Sequence, residues 1–183
     1  DPKLADYIAD KYGIVDGWPL ATEPFKQLAI ETKHQRSDLQ IPPFDIAGAM
    51  LVKDVAPTEL AKLRLLNGAH MALGVMGRLL GETHADTALR RPEIKAFVQM
   101  FMDEAEQTLR HDSGMDLKAY RKVLLDRMAN PYIHDELTRL ARNGSEKVKT
   151  RFLSPLRDAY AHETEREYIM YALASWVRYV AHA

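Results

Sequence analysis

The pattern of apolar and polar residues changes at Pro57. After it, the pattern is helical almost to the end of the chain. Pro57 suits the first position of a helix, and Glu59 is favourable in the first helical turn. Helix-breaking residues divide the region, at Gly114, Asn130-Pro131 and Asn143-Gly144. The predicted helices span residues 57–81, 83–89, 92–110, 116–129, 133–142, 145–161 and 163–182.

Before the first long helix, glycine and proline interrupt the pattern repeatedly. Residues 2–12 predict a short helix that Gly13 ends. FKQLAI at 25–30 and AMLVKDV at 49–55 are candidate strands, and most of the chain between them, 33–48, is a polar loop. The predicted fold class is therefore mainly all-α, a multi-helix domain around a long buried central helix, with a small strand pair near its N-terminal side.

Composition fits one globular domain. The chain has 183 residues, of which 46% are hydrophobic and 28% charged, enough for a sizeable core. We expect a single domain, 1–183, in which 1–56 is a connecting segment and 57–183 is the helical core. The 25 basic and 26 acidic residues nearly balance, which argues against nucleic-acid or membrane partners. The lack of cysteine excludes disulfides and thiolate chemistry and fits a cytoplasmic protein.

The central helix carries polar residues among leucines, as in KLRLLNGAHMAL at 62–73. On a helical wheel of about 100° per residue, Lys62, Asn67 and His70 fall within one arc of roughly 140°. Because leucines occupy nearly every sector, the helix should be buried, so these residues are either paired in the core or line a cleft. Gly68, Gly74 and Gly77 reduce helix propensity and predict close approach of a backbone or a ligand.

These side chains suit proton transfer from an alcohol. Desolvation of Lys62 can lower its pKa, which would make the amine a general base. The Asn67 amide can donate to a developing oxyanion, and His70 can hold a hydroxyl or polarise a carbonyl. The alternatives are an ordinary ion pair of Lys62 with Glu59 and satisfied core polar groups at Asn67 and His70.

Lys62 and His70 are far apart along the helix for two groups that contact one small substrate. Lys62 and His70 lie roughly 12 Å apart along an ideal helix axis. A ligand that meets both must therefore lie along the helix, or the helix must be distorted.

The string APTELAKLRLLNGAHMALG resembles the central helix of the mannitol dehydrogenase family, the long-chain, metal-independent polyol dehydrogenases, with its K-x4-N-x2-H pattern. The resemblance extends over nearly the whole chain and in the family's order. Further matching segments are GWPLATEPFKQ, GMDLKAY, NPYIHDEL, RLARNGSEK and RFLSPLRDA. It implies that the chain is the family's C-terminal helical domain.

The resemblance also implies an activity: reversible oxidation of a sugar alcohol, with hydride passing to NAD or NADP. By position, Lys62 would be the general base, Asn67 would hold the alkoxide, and His70 would orient the substrate. Glu59 would connect the lysine to solvent. Arg139 and Lys147, in RLARNGSEK, would contact the distal hydroxyls of the substrate.

The pattern of the family is incomplete in this chain. No G-x-G-x-x-G follows a strand, so the cofactor-binding residues are expected in an N-terminal dinucleotide-binding domain that is absent here. We would not expect turnover from this domain alone. The seven histidines form no H-x3-H pair, and no metal is expected.

The sequence does not decide which substrate the enzyme uses. Interconversion of mannitol and fructose is the first expectation, and reduction of a hexuronate such as fructuronate or tagaturonate is the second. A sugar acid would need a further cation, which Arg139, Lys147 or Arg142 could provide. The alternative of another class is a non-catalytic helical interaction domain.

Overall fold

The computed structural model describes residues 2–33, 42–109 and 114–182. The described residues form two compact units. One comprises those within Asp1–Ile30 and Gln35–Leu51, and the other those within Glu31–His34 and Val52–Ala183. The expected division into a connecting segment, 1–56, and a helical core, 57–183, remains a prediction. Part of the predicted polar loop lies outside the described residues.

The N-terminal region has the predicted helix and strand pair. Helix α1 spans Pro2–Tyr12, and Gly13 follows it with φ 66°, a conformation that favours glycine. Strands β1, Ala29–Glu31, and β2, Met50–Val52, form a two-stranded sheet. The Met50 N–H donates to the Leu28 carbonyl at 2.8 Å, and the Thr32 N–H donates to the Val52 carbonyl at 2.9 Å. These bonds run in the same order along both strands, so the pair is parallel.

The second unit is helical and confirms the mainly all-α fold class. Its helical elements, in chain order, are α2 Ala56–Ala61, π1 Lys62–Gly68, α3 Ala69–Leu79, α4 Ala85–Ala88, α5 Pro92–Gln107, α6 Leu117–Met128, α7 Leu137–Ala141, α8 Gly144–Val148, π2 Lys149–Leu153, α9 Ser154–Ala161 and α10 Glu167–Ala181. Here π1 and π2 are segments of π-helix within longer helical runs.

The central helix is the continuous run of α2, π1 and α3, from Ala56 to Leu79. In α3 the residues from Met71 to Val75 are all buried, and α5, α7 and α10 pack around it. The helix ends at Leu79 because Gly81 adopts φ 85°, which lets the Glu82 N–H donate to the Gly77 carbonyl at 2.9 Å.

Close packing explains two glycines of α3, as predicted. A Cβ atom on Gly74 would lie 3.0 Å from the Ala141 backbone nitrogen, and one on Gly77 would lie 2.6 Å from a Leu137 methyl carbon. Both contacts are with α7. The glycines therefore let the backbone of α7 approach the central helix closely.

Two predicted helices begin later than expected. Helix α7 starts at Leu137 instead of residue 133, because the chain before it pairs with residues 83–85. There the Leu137 N–H donates to the Thr83 carbonyl and the Ala85 N–H to the Asp135 carbonyl, each at 2.9 Å. Helix α10 starts at Glu167 instead of 163, after Glu163 with φ 55°.

The predicted single helix over 145–161 is three segments, α8, π2 and α9. Among the described residues, none of the helices combines the length and apolar character needed to span a membrane.

Candidate active site

The first π-helical segment lies where the candidate residues are. It covers Lys62–Gly68, so the central helix is distorted between Lys62 and His70. A π-helix bonds residue i to i+5, whereas an α-helix bonds i to i+4. Residues five apart therefore approach one face, and Lys62 and Asn67 are five apart.

Burial agrees with this geometry. In an α-helix Lys62 would share its face with Leu66, which is only 9% exposed here. Lys62 is exposed and Asn67 is partly exposed, so solvent reaches both side chains. His70 follows Asn67 by three residues, the spacing that places side chains on one helical face. Of the two alternatives that the sequence allowed, the structure has the distorted helix.

A buried arginine fixes π1 in place. Arg64 is 2% exposed, and its Nη1 donates to both the carbonyl and the hydroxyl of Thr108, at 2.7 and 2.6 Å. Its Nη2 donates to the Asp158 carboxylate, with which it forms an ion pair. Arg64 therefore connects π1 to the end of α5 and to α9. Sequence reasoning missed this residue, although an arginine between leucines is a signal for a buried ion pair.

Of the two positions that the sequence left open for Lys62, paired in the core or lining a cleft, the structure excludes the first. Lys62 and Glu59 are both exposed in the described chain. The reason is that both lie where the central helix enters the helical core, before its fully packed part in α3. Within residues 2–33, 42–109 and 114–182, no ion pair joins Lys62 to Glu59, which removes the simplest structural explanation for the lysine.

His70 is partly buried beside several charged groups. Burial lowers the pKa of His70 from 6.5 to about 4, and the charges of Arg139, Arg127 and Arg151 act in the same direction, against the opposing effect of the Asp135 carboxylate. The imidazole is therefore neutral at pH 7. A neutral imidazole has one N–H donor and one acceptor nitrogen, which suits a hydroxyl group.

Arg139 lies on α7 and forms an ion pair with Asp135. Its Nε donates to Asp135 Oδ1 at 2.6 Å, and its Nη2 pairs with Asp135 Oδ2. This two-point ion pair raises the pKa of Arg139. Arg139 is about half exposed, and Asp135 is largely buried. The close packing of α7 on the glycines of α3 holds this pair near His70.

Lys147 belongs to a group of cations. Desolvation lowers its pKa, and the nearby charges of Arg151, Arg142 and Arg139 lower it further. Arg151 is on π2, which packs against π1, and burial lowers its pKa as well. Sequence reasoning did not single out Arg151. The alternation of basic residues in KVKTR, 147–151, was the available signal.

The predicted site residues are therefore brought together in part. Arg139 on α7 acts electrostatically on both His70 and Lys147, whereas the common face of Lys62, Asn67 and His70 remains a prediction. Glu59 is one turn before Lys62. In the described part of the chain, no three histidine or acidic side chains converge as a metal site would require.

The chain is similar to known proteins over most of its length. Residues 54–183 match the family described as the mannitol dehydrogenase C-terminal domain. The mannitol 2-dehydrogenase of Pyricularia oryzae is 36% identical over 184 residues, covering 98% of this chain and 36% of that protein. The D-mannonate oxidoreductase of Escherichia coli is 36% identical over 179 residues, covering 97% and 36%. The chain thus spans about a third of the length of the curated relatives it matches.

Two solved structures are also similar. The mannitol 2-dehydrogenase of Pseudomonas fluorescens, in a ternary complex with NAD and D-mannitol, has a TM-score of 0.76 and 30% identity, covering 98% of this chain and 36% of that one. A D-sorbitol dehydrogenase in substrate-free form has a TM-score of 0.86 and 29% identity, covering 98% and 37%. This chain belongs to the mannitol dehydrogenase family, and residues 54–183 correspond to the family's C-terminal domain.

Proposed function

We propose that this chain is the substrate-binding and catalytic domain of an NAD- or NADP-dependent, metal-independent polyol dehydrogenase that interconverts mannitol and fructose. The observation that supports the proposal is π1, in which Lys62 is exposed and Asn67 is partly exposed, and which ends two residues before the neutral His70. Short π-helical segments occur frequently at functional sites. Membership of the family and the mannitol 2-dehydrogenases among its relatives supply the reaction class.

The proposed roles follow from the chemistry of each side chain. Lys62, as the free amine, removes the proton from the hydroxyl that is oxidised. The Asn67 amide donates to the oxygen as negative charge develops there. His70, uncharged, orients the substrate through a hydrogen bond, and Glu59 passes the proton from Lys62 to solvent. Arg139 and Lys147 contact the distal hydroxyls.

The reaction also needs a nicotinamide cofactor, which accepts the hydride. The substrate and this cofactor must both reach the site, and the exposure of Lys62 is consistent with that. A substrate can reach the ammonium only because the described chain leaves that face open. We further propose that a dinucleotide-binding domain of the same cytoplasmic protein covers this face. Its approach would exclude water from Lys62 and so favour the free amine that the reaction needs.

A second candidate is reduction of a hexuronate by the same residues. It is favoured by the D-mannonate oxidoreductase of Escherichia coli, which is as similar to this chain as the mannitol 2-dehydrogenase of Pyricularia oryzae. The candidate of another class, a non-catalytic helical interaction domain, predicts that Lys62 can be replaced without effect on turnover.

The test uses the complete protein, with its dinucleotide-binding domain. Reduction of NAD and NADP is followed by absorbance with mannitol, arabinitol, sorbitol and mannonate. We expect turnover that falls roughly 10²- to 10⁴-fold in Lys62→Ala. Lys95→Ala, an exposed lysine on α5, is the matched control and should keep full activity. Turnover on mannonate alone would move the assignment to the hexuronates, and no turnover on any substrate with cofactor bound would favour the interaction domain.

A further inference from the structure

The turn between α7 and α8 contains a glycine that backbone conformation does not explain. Helix α7 ends at Ala141, and α8 begins at Gly144. Between them, Asn143 adopts φ 58° and ψ 36°, a left-handed conformation that asparagine accepts more readily than most residues. Gly144 does not have a left-handed φ. Its lack of a side chain therefore has another cause.

The cause is the indole of Trp176, on α10. A Cβ atom on Gly144 would lie 2.5 Å from Trp176 Nε1 and 3.1 Å from Trp176 Cδ1. The indole therefore occupies the space that a side chain at position 144 would fill. The same Cβ atom would lie 3.5 Å from Met71 Cε, and Met71 is a fully buried residue of α3 that follows His70 directly. Helices α10, α8 and α3 thus meet at Gly144.

The indole contributes to this contact through its shape. Trp176 Nε1 is buried, and in the described ranges of the chain it has no hydrogen-bond acceptor. A buried N–H without an acceptor costs stability, so a hydrogen bond is not what requires tryptophan here. What the ring provides is close packing against the backbone of Gly144.

The turn joins the two helices that carry the proposed distal contacts to the substrate. Arg139 lies on α7, and Lys147 lies on α8, three residues after Gly144. Helix α7 has five residues, too few to be stable without packing, so its direction depends on α3 and on the turn. Trp176 packs on the turn at the first residue of α8.

We propose that Trp176 is a positioning residue of the candidate site. By packing on Gly144 it fixes the turn between α7 and α8, and with it the separation of Arg139 and Lys147. This inference rests on the proposed function, in which those two side chains contact the distal hydroxyls of the substrate. Trp176 acts through them and does not itself contact the substrate.

The test disturbs the contact from both sides in the complete protein. Gly144→Ala adds a carbon where the indole lies, and Trp176→Leu removes the indole nitrogen and the outer ring. Each variant should raise KM for mannitol, or for mannonate if only that is oxidised, roughly 10-fold, the order of a weakened hydrogen bond to a charged group. The value of kcat should change less than about twofold, because Lys62 and Asn67 belong to π1 and not to the turn.

Two double variants separate positioning from general stability. In Gly144→Ala with Trp176→Leu, the added methyl occupies vacated space, so KM should return towards the wild-type value. In a Lys147→Ala background, Trp176→Leu should raise KM less than it does alone, because one of the groups that it positions is missing. Equal losses in both backgrounds would overturn the proposal.

Tyr171→Phe is the matched control, because Tyr171 is an exposed aromatic residue on the same helix. It should keep the wild-type KM. Circular dichroism checks that each variant folds, and Gly144→Ala carries the test if Trp176→Leu does not.

Direct binding separates this inference from the proposed function. Calorimetry measures Kd of mannitol and of mannonate for the complete protein with NADH bound, a complex that cannot oxidise them. A Kd that rises in Gly144→Ala would support the positioning role even without turnover, in which case only the proposed reaction would fail. Turnover with unchanged KM and Kd in both single variants would keep the reaction and overturn the positioning role. No binding of either compound to the wild type would overturn both.

Discussion

The candidate site residues differ in how strongly the packing of this chain determines their environment. His70 is held neutral by its surroundings within this chain, with a pKa near 4. Lys62, by contrast, is exposed on the described chain. The helical domain therefore determines the charge state of His70, the proposed orienting residue. The environment of Lys62, the proposed base, depends on the domain that we propose to cover it.

The lowered pKa of His70 predicts a pH dependence of stability. In the unfolded chain the imidazole titrates near 6.5, so between about pH 6.5 and 4 the unfolded state binds more protons than the folded state. The contribution of neutral His70 is present above pH 6.5 and is lost as the pH falls towards 4. The free energy of unfolding should fall by up to about 1.4 kcal/mol per pH unit more than in His70→Gln.

Urea unfolding at pH 7, 6 and 5 measures this difference. The curves of wild type and His70→Gln should diverge as the pH falls, because all other titrating groups are shared. Parallel pH dependences in the two proteins would show that His70 titrates alike in the folded and unfolded states, contrary to the structure.

The sequence could predict candidate residues that lie on one helix, but not residues that come together only when separate helices pack. Local spacing on one helix is enough to predict that Lys62, Asn67 and His70 fall within one arc. Arg151 is about 80 residues away and reaches His70 only because π2 packs on π1. Arg64 was missed because its partners, Thr108 and Asp158, come from two other helices.

Among the elements, π1 decides the geometry of the candidate site, and Arg64 holds it. Arg64→Ala would leave the Asp158 carboxylate without its partner and Thr108 with unmet hydrogen bonds. We expect a loss of roughly 2–3 kcal/mol in the free energy of unfolding, since hydrogen bonds to a charged group are removed. Turnover should fall as well, because π1 can then relax to an α-helix.

The control is Arg157→Ala, an exposed arginine next to Asp158 in sequence. Chemical denaturation should show little change in that variant. If Arg64→Ala and Arg157→Ala were equally stable, the contacts of the buried Arg64 side chain would not be what fixes π1.

The close contact between α3 and α7 predicts that a larger residue at Gly74 destabilises the protein. Gly74→Ala would ordinarily stabilise a helix by about 1 kcal/mol. Here the added carbon would lie 3.0 Å from the Ala141 backbone nitrogen and 3.1 Å from the Leu137 carbonyl oxygen, atoms that can move only with α7. We therefore expect a net destabilisation of about 1–3 kcal/mol by thermal or chemical unfolding.

The same variant should weaken binding of substrate, because α7 carries Arg139. Gly17→Ala, where a Cβ atom meets nothing within 4 Å, is a control for the general effect of replacing glycine. A stabilised Gly74→Ala would show that α7 adapts and that the close approach is not required.

The elements themselves were largely predictable. Glycine and proline marked most helix ends, and the two strands were found as candidates. The π-helical segments were not, because their hydrogen bonds shift by one residue for reasons of tertiary packing, which propensity does not contain. The late starts of α7 and α10 arise from pairing and backbone turns outside the helices.

For the whole molecule, the chain covers about 36% of the length of its curated relatives and carries no dinucleotide-binding motif. We therefore expect that residues 1–183 alone give no NADH or NADPH formation with mannitol or mannonate, whereas the complete protein does. Circular dichroism on the same sample should still report a mainly helical fold. Turnover by residues 1–183 alone would contradict the proposed division of labour between the domains.

The most direct test of the central claim is chemical rescue of Lys62→Ala in the complete protein. If the amine of Lys62 is the general base, the variant should lose roughly 10²- to 10⁴-fold in kcat, and added methylamine should restore part of that loss in proportion to its free-amine concentration. A variant that retains wild-type turnover would show that Lys62 is not the base. A loss that no primary amine of similar size relieves would point instead to a structural role for the lysine in π1.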